Sequence, residues 1–297
     1  MAAVLFARTR GELLGSARAR GARLGTREKP MRESEENTNL LGRALKKRLA
    51  AGDLTLCLTV RYSRSVEIVQ IAKLAGYDAL YCDLEHSAMT METCGQICLA
   101  ASMAGIAPLV RVPSHAPHHI ARVLDGGAQG VIVPHVDSAA EAQAVVEACC
   151  YPPLGSRSLS GLGPLAGLAL GPQEAYGLIN QNTVCIVMLE SPKAIANADE
   201  IAATDGVDML LIGTNDLCAE MGIPGELGHD RVRQAYQDMA AACKAHNKAI
   251  GIGGIKEGPM LQDILAMGGR FIMGRVDGAL LAQAAAKEVA DFRVLAP

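Results

Sequence analysis

The sequence contains no tryptophan, and only three phenylalanines and six tyrosines stand in its 297 residues. A core of this composition is built from Ala, Val, Ile, Leu and Met, and binding a nucleic acid by stacking bases on aromatic rings is disfavoured. Nine cysteines are present, yet none forms a CxxC pair or a zinc-type spacing with histidine, and Cys149 and Cys150 are adjacent. That pattern predicts reduced, mostly buried thiols in a reducing compartment, not a disulfide framework. No long apolar run reads as a membrane span: the longest uncharged stretch, 93–110, carries Gln96, Ser102, two glycines and Pro108. GxGxxG after the first strand, the GxSxG elbow and the phosphate-binding P-loop are all missing.

What is present is a large apolar fraction, 50%, with 20% charged residues, enough for a sizeable globular core. The net charge of −3 hides an asymmetry. Residues 1–32 hold eight Arg or Lys against Glu12 and Glu28, leaving 20 basic against 29 acidic side chains, a net −9, in the other 265. An acidic body is a poor polyanion binder, so nucleic acid is again disfavoured. The segment 1–30 is rich in Arg, Ala and Gly and poor in acids. It reads either as a mitochondrial transit peptide or as the product of a mis-set start ahead of Met31, and the expected location is cytoplasmic, or mitochondrial if the leader is genuine.

From about residue 40 to 295 the chain alternates short apolar runs with longer helical patterns. Strands are predicted at 54–60, 78–83, 107–112, 130–135, 184–190, 208–213, 248–253 and 270–274, with helices such as 65–75, 91–103, 138–149, 193–203, 231–246 and 257–267 between them. Strands apolar on both faces and separated by helices mean a parallel sheet, and eight such units in about 240 residues fit a closed (β/α)₈ TIM barrel. The Gly- and Pro-rich stretch 151–183 interrupts the rhythm and is expected to be a functional loop beside the active-site mouth.

In a parallel barrel the reactive groups lie at the carboxyl ends of the strands. Strand 2 ends in Asp83, followed by Glu85 and His86; strand 3 ends at Arg111, strand 4 at His135, strand 5 at Glu190, and strand 6 at Gly213 with Asp216 just beyond. One such residue means little, but five consecutive strands ending this way predict a site. Glu190 and Asp216, on neighbouring strands, suit a hard divalent cation. Arg111 offers a fixed positive charge for a carboxylate or enolate oxygen, and His86 is suited to proton transfer near neutral pH. No lysine lies in strand 5 or 6, with Lys193 past a strand end and Lys256 in a loop, so Schiff-base chemistry is not expected. His115, His118 and His119 read as solvated loop histidines.

At these residues the sequence resembles the HpcH/HpaI aldolase family, the metal-dependent pyruvate aldolases. The likeness runs in order through YDALYCDLEHS at Asp83 and His86, PLVRVPS at Arg111, LDGGAQGVIVPHV at Asp125 and His135, YPPLGSRS at Arg157, VMLES at Glu190 and IGTNDL at Asp216. PHV and GSRSLSG are also similar to macrophomate synthase. The resemblance implies a barrel whose last helix is exchanged between subunits of a homo-oligomer, a hexamer or trimer of dimers or something smaller. It implies Mg²⁺, Mn²⁺ or Co²⁺ on Glu190 and Asp216, Arg111 on the keto oxygen, and His86 as base with Asp125 polarising it and Asp83 supporting the arrangement. Main-chain amides near Asn215 and Asp216 would take the substrate carboxylate, and His135 would line the substrate. The chain departs from the family at Met188, where glutamine is common, at GTNDLC in place of GPxDLS, and near Cys57, where an aromatic is common.

The implied reaction is retro-aldol cleavage of a 4-hydroxy-2-oxo acid to pyruvate and an aldehyde through a metal-stabilised enolate. The rival expectations are an oxaloacetate decarboxylase or carbon–carbon-forming enzyme of the macrophomate-synthase kind, a CoA-ester lyase of the citramalyl-CoA type, and a binding protein that kept the barrel without turnover.

Overall fold

The computed structural model describes residues 42–159 and 171–295; the basic extension 1–30 and residues 160–170 of the Gly- and Pro-rich stretch lie outside them. Eight parallel strands close a barrel in sequence order: β1 (Thr55–Val60), β2 (Ala79–Asp83), β3 (Ala107–Arg111), β4 (Gly130–Val133), β5 (Val184–Leu189), β6 (Met209–Gly213), β7 (Ala249–Gly253) and β8 (Phe271–Val276). All eight fall where the apolar runs predict them. β2, β4, β5 and β6 are buried along their whole length because one face lines the barrel and the other meets helices.

Alternation sorts each strand into two cores. Cys57, Ala79, Tyr81, Leu109, Ile132, Ile186, Met188, Met209, Leu211, Phe271 and Met273 fill the lumen. The other face, including Leu58, Leu80, Cys82, Val110, Val187 and Leu210, joins the helices. Each fully buried Leu or Ile contributes about 1.5–3 kcal/mol. The aromatic-poor composition therefore shows directly, since Tyr81 and Phe271 are the aromatic members of the lumen core. All nine cysteines are free and buried; Cys82 faces outward, with its sulfur close to those of Cys94 and Cys98, while its neighbour Asp83 faces inward.

The helices are α1 (Arg43–Ala51), α2 (Glu67–Ala75), α3 (Met91–Ala104), α4 (Pro117–Asp125), α5 (Ala139–Cys149), α6 (Pro172–Asn182), α7 (Pro192–Ala196), α8 (Ala198–Ala202), α9 (Thr214–Glu220), α10 (Asp230–Ala245), α11 (Gly258–Ala266) and α12 (Asp277–Leu295). α1 closes the amino end of the barrel: Leu45 belongs to the lumen core, and a side chain at Gly42 would collide with the carbonyls of Asn182 and Gln129. The carboxyl end is left for chemistry. Among the described residues no helix is long and apolar enough to cross a membrane.

Two expectations need correction. The helix predicted over 193–203 is two short helices divided at Asn197, whose side-chain amide donates to the Asp137 carbonyl at 2.8 Å. Of the 151–183 stretch, the described residues 151–159 follow α5, which already fills the place after β4, and 171–183 contain α6 and lead to the amino end of β5, so these parts belong to an αβ connection and not to the loop after β4; residues 160–170 lie outside the described residues.

Candidate active site

Asp83 organises the carboxyl mouth. It ends β2 on the lumen side, fully buried, and receives Arg111 bidentately, from Nε to Oδ1 at 3.0 Å and from Nη2 to Oδ2 at 2.6 Å. Arg61, just past β1, donates its Nε to the same Oδ2 at 2.5 Å. Oδ1 also accepts the backbone N–H groups of Glu85 and His86, which fixes the turn that carries both side chains. Burial opposes ionisation of Asp83, but the Arg111 and Arg61 contacts outweigh it and hold its pKa below the ordinary carboxylate value.

Arg111 is correspondingly immobile. Its guanidinium lies 6.0 Å from the Tyr81 ring centre, and its Nη1 is 3.0 Å from Glu85 Oε2, an ion-pair contact off the hydrogen-bonding direction. Burial would lower the Arg111 pKa, yet Asp83, Tyr81 and Glu85 together raise it, so the charge is permanent. Tyr81 itself is pushed up to about 12, mainly by burial, and stays neutral beneath it.

Glu85 is the residue whose part the strand-end pattern did not reveal. Its Oε2 is 3.5 Å from His86 Nε2, and its Oε1 is 3.6 Å from His135 Nε2, so one carboxylate joins Arg111, His86 and His135. The His86 side chain is 48% exposed, open to a ligand from the mouth.

Glu190 follows β5 and is buried, with Oε2 accepting the His135 backbone N–H at 2.8 Å and lying 3.2 Å from His135 Nδ1. His135 has φ 54°, a left-handed conformation that costs a non-glycine residue energy and turns its N–H towards Glu190. Across from it the Glu190 side chain lies over Gly213, where any Cβ would strike the carboxylate. Glycine at the end of β6 is thus required to make room for the Glu190 carboxylate, and Asp216 follows in the first turn of α9. Thr214 anchors that turn through its Oγ1, 2.6 Å from the Gly253 carbonyl and 2.9 Å from the Tyr236 hydroxyl. Burial raises the Glu190 pKa to about 7; His135 opposes the rise, while Asp216 and Glu85 add to it. Burial is the largest of these causes.

Asp83, His86, Arg111, His135, Glu190, Asn215 and Asp216 therefore all stand at the carboxyl mouth, the last three beyond the ends of the two neighbouring strands β5 and β6. Asp125 does not. It closes α4, which runs back to the amino end of the barrel before β4 begins, and it pairs there with Arg157 at 2.5 Å, whose guanidinium lies 4.6 Å from the centre of the Tyr151 ring. Within one chain it is not placed to polarise His86. His115 bonds to the Pro134 carbonyl and His119 to Ser114, so these histidines serve the loop.

A 4-hydroxy-4-methyl-2-oxoglutarate aldolase of Hapsidospora irregularis is 39% identical to this chain over 243 residues, covering 80% of this chain and 90% of that protein. The solved HpcH/HpaI aldolase of Desulfitobacterium hafniense DCB-2 superposes with a TM-score of 0.79 at 29% identity, over 84% of this chain and 96% of that one. Macrophomate synthase shares the fold, with a TM-score of 0.71 at 24% identity over 86% and 91% of the two chains. The family model for HpcH/HpaI aldolase/citrate lyase matches residues 62–284, and the chain belongs to that family.

Proposed function

We propose that this chain is a divalent-cation-dependent pyruvate aldolase that cleaves the C3–C4 bond of 4-hydroxy-2-oxo acids. The observation that carries the reading is the meeting, at one barrel mouth, of a buried carboxylate within electrostatic reach of a second, a clamped arginine and an open imidazole. The named substrate of the Hapsidospora relative is an acid of this class.

Glu190 and Asp216 fit a hard cation such as Mg²⁺, Mn²⁺ or Co²⁺. They offer only oxygen donors, glycine at 213 leaves room for the Glu190 carboxylate, and such an ion would offset the cost of burying that carboxylate as an anion. Bound there, it supplies a Lewis acid that holds the 2-oxo acid and draws off charge as the enolate develops. Arg111 faces the same developing oxygen with N–H groups that Asp83 leaves over, already oriented before substrate arrives. The backbone N–H groups of Asn215 and Asp216, in the first turn of α9 and without intrahelical acceptors, are assigned to the C1 carboxylate. His86, steadied by Glu85, removes the C4 hydroxyl proton, directly or through water. The C4–O bond becomes the carbonyl of the departing product, the C3–C4 electron pair enters the enolate, and protonation at C3 completes pyruvate. His135 lines the substrate and keeps Glu190 in place.

Pyruvate release from a panel of 4-hydroxy-2-oxo acids is expected to fall at least about a hundredfold on thorough chelation and to return with Mg²⁺, Mn²⁺ or Co²⁺. Full activity after chelation would contradict the metal assignment.

The last helix is assigned to a subunit contact. Most of α12 stands clear of its own barrel, with Leu281, Val289, Phe292 and Leu295 exposed. A hydrophobic helix left in water is costly, and exchange with a second copy, in a hexamer or trimer of dimers, covers it. Light scattering should show an oligomer for the native chain and a smaller species when Leu281 and Phe292 are both changed to Lys; an unchanged mass would refute the assignment.

A further inference from the structure

The outer core holds a group of thiols that the site at the mouth does not use. Cys82 points outward from β2, and Cys94 and Cys98, four residues apart, share one face of α3, the helix that packs over β2 and β3. The three sulfurs lie within 4.8 Å of one another, and all three residues are buried. Among the described residues no histidine or carboxylate belongs to the group. Hydrogen bonding to Cys82, then to Cys98, lowers the pKa of Cys94. Bonding to Cys94 raises that of Cys82, and bonding to Cys82 raises that of Cys98, with burial adding to both. One nucleophilic sulfur thus sits between two proton donors.

Three sulfurs around one centre suit a three-coordinate ion. Bonds of about 2.3 Å in one plane place the sulfurs about 4 Å apart, a spacing that small side-chain rotations reach from separations of at most 4.8 Å. Charge decides which ion fits. Three thiolates around a monovalent or a divalent ion leave net negative charge in an apolar core that penalises it, and zinc would also lack its fourth ligand. A trivalent ion leaves the site neutral. Arsenous acid is itself uncharged, so a brief local opening of α3 admits it without carrying charge into the core. Three As–O bonds break and three As–S bonds form, the three thiol protons leave with the hydroxyls as three waters, and no electron is transferred.

We propose that Cys82, Cys94 and Cys98 form a site for a trivalent thiophilic ion of the arsenite class, bonded through all three sulfurs, and that its occupation inhibits the chain through β2. Cys82 directly precedes Asp83, whose carboxylate holds Arg111, Arg61 and the amides of Glu85 and His86. Drawing the Cys82 sulfur towards α3 shifts the end of β2, and one displaced carboxylate loosens all of these partners. The binding site owes nothing to the reaction at the mouth; the inhibition rests on the aldolase reading for its readout.

The test is native mass spectrometry of the reduced full chain titrated with sodium arsenite. The native chain is expected to take up one arsenic and lose three hydrogens; an adduct on two sulfurs keeps a hydroxyl and is heavier by one water. Cys94→Ala and, separately, Cys98→Ala are expected to bind at least about a hundredfold more weakly, each in folded protein as judged by its thermal transition. Cys149→Ala, which alters a buried thiol beside Cys185, should bind as the native chain does. A two-sulfur adduct in the native chain, or an affinity that survives both substitutions on α3, would overturn the site. Arsenite is further expected to cut pyruvate release at least about tenfold in the native chain, reversibly with a dithiol, and to spare Cys98→Ala, whose own rate stays native. Full activity with arsenic bound refutes the coupling to Asp83. Three-sulfur binding in a chain that releases no pyruvate from any hydroxy-oxo acid, with or without arsenite, upholds the site and removes the aldolase reading.

Discussion

Replacing Glu190 with Gln is expected to lower pyruvate release by about a thousandfold or more, from 4-hydroxy-2-oxo acids and from oxaloacetate alike, measured with Mg²⁺ at saturation. The two oxygens of Glu190 have separate duties in the structure. Oε2 takes the His135 N–H, and Oε1 lies over Gly213. A glutamine of the same shape keeps a carbonyl for His135 but presents an NH₂ in place of an anionic donor, so the cation loses charge and a ligand together. Both reactions pass through the enolate of pyruvate, so both should fall. The companion measurement is the Mg²⁺ concentration needed for half-maximal activity, which should rise at least about tenfold. A variant with unaltered Mg²⁺ dependence and near-native rates would remove Glu190 from the metal site.

Gly213 and His135 give this prediction a structural control. Gly213→Ala has no room for its Cβ without moving Glu190. It should therefore imitate the Glu190 defect in the same direction without changing any charge.

The strands were legible in the sequence because a parallel barrel buries both faces of each strand, so each reads as a short continuous apolar run set between helical patterns. Asp83, Arg111 and Glu190 were legible because each is the polar residue that follows a buried run. What escaped depends on distances that no spacing encodes. Arg61 and Arg111 are 50 positions apart yet share one carboxylate. Glu85 gained its place because Asp83 bonds the amides of the turn and swings that side chain between Arg111 and His135. Within one chain Asp125 stands away from the mouth for a topological reason, in that a helix following a strand returns to the opposite end of the barrel, and a motif read as text does not say which end its last residue reaches. The 193–203 pattern was helical in composition, but Asn197 is committed to Asp137, and that tertiary bond divides the helix.

His86→Ala should separate the two reactions that Glu190→Gln depresses together. Retro-aldol cleavage needs the C4 hydroxyl proton removed as the bond breaks, and a positioned general base supplies about 10²–10⁴ in rate. Decarboxylation of oxaloacetate reaches the same enolate by loss of CO₂ and has no hydroxyl proton to remove. His86 is exposed at the mouth and joined to the Arg111 network through Glu85 alone, whereas His135 also contacts Glu190, so loss of the His86 ring should leave Asp83, Arg111 and Glu190 in place. The expected result is a fall of about 10²–10³ in kcat for cleavage, with decarboxylation within a few-fold of native. Solvent exposure allows a further check, since small amines such as imidazole can enter the space the ring vacates and should restore part of the cleavage rate alone. If both activities fell equally, His86 would belong to the binding of the 2-oxo acid, and the proton would have to leave through another group, of which Glu85, already 3.5 Å from the His86 ring nitrogen, is the nearest.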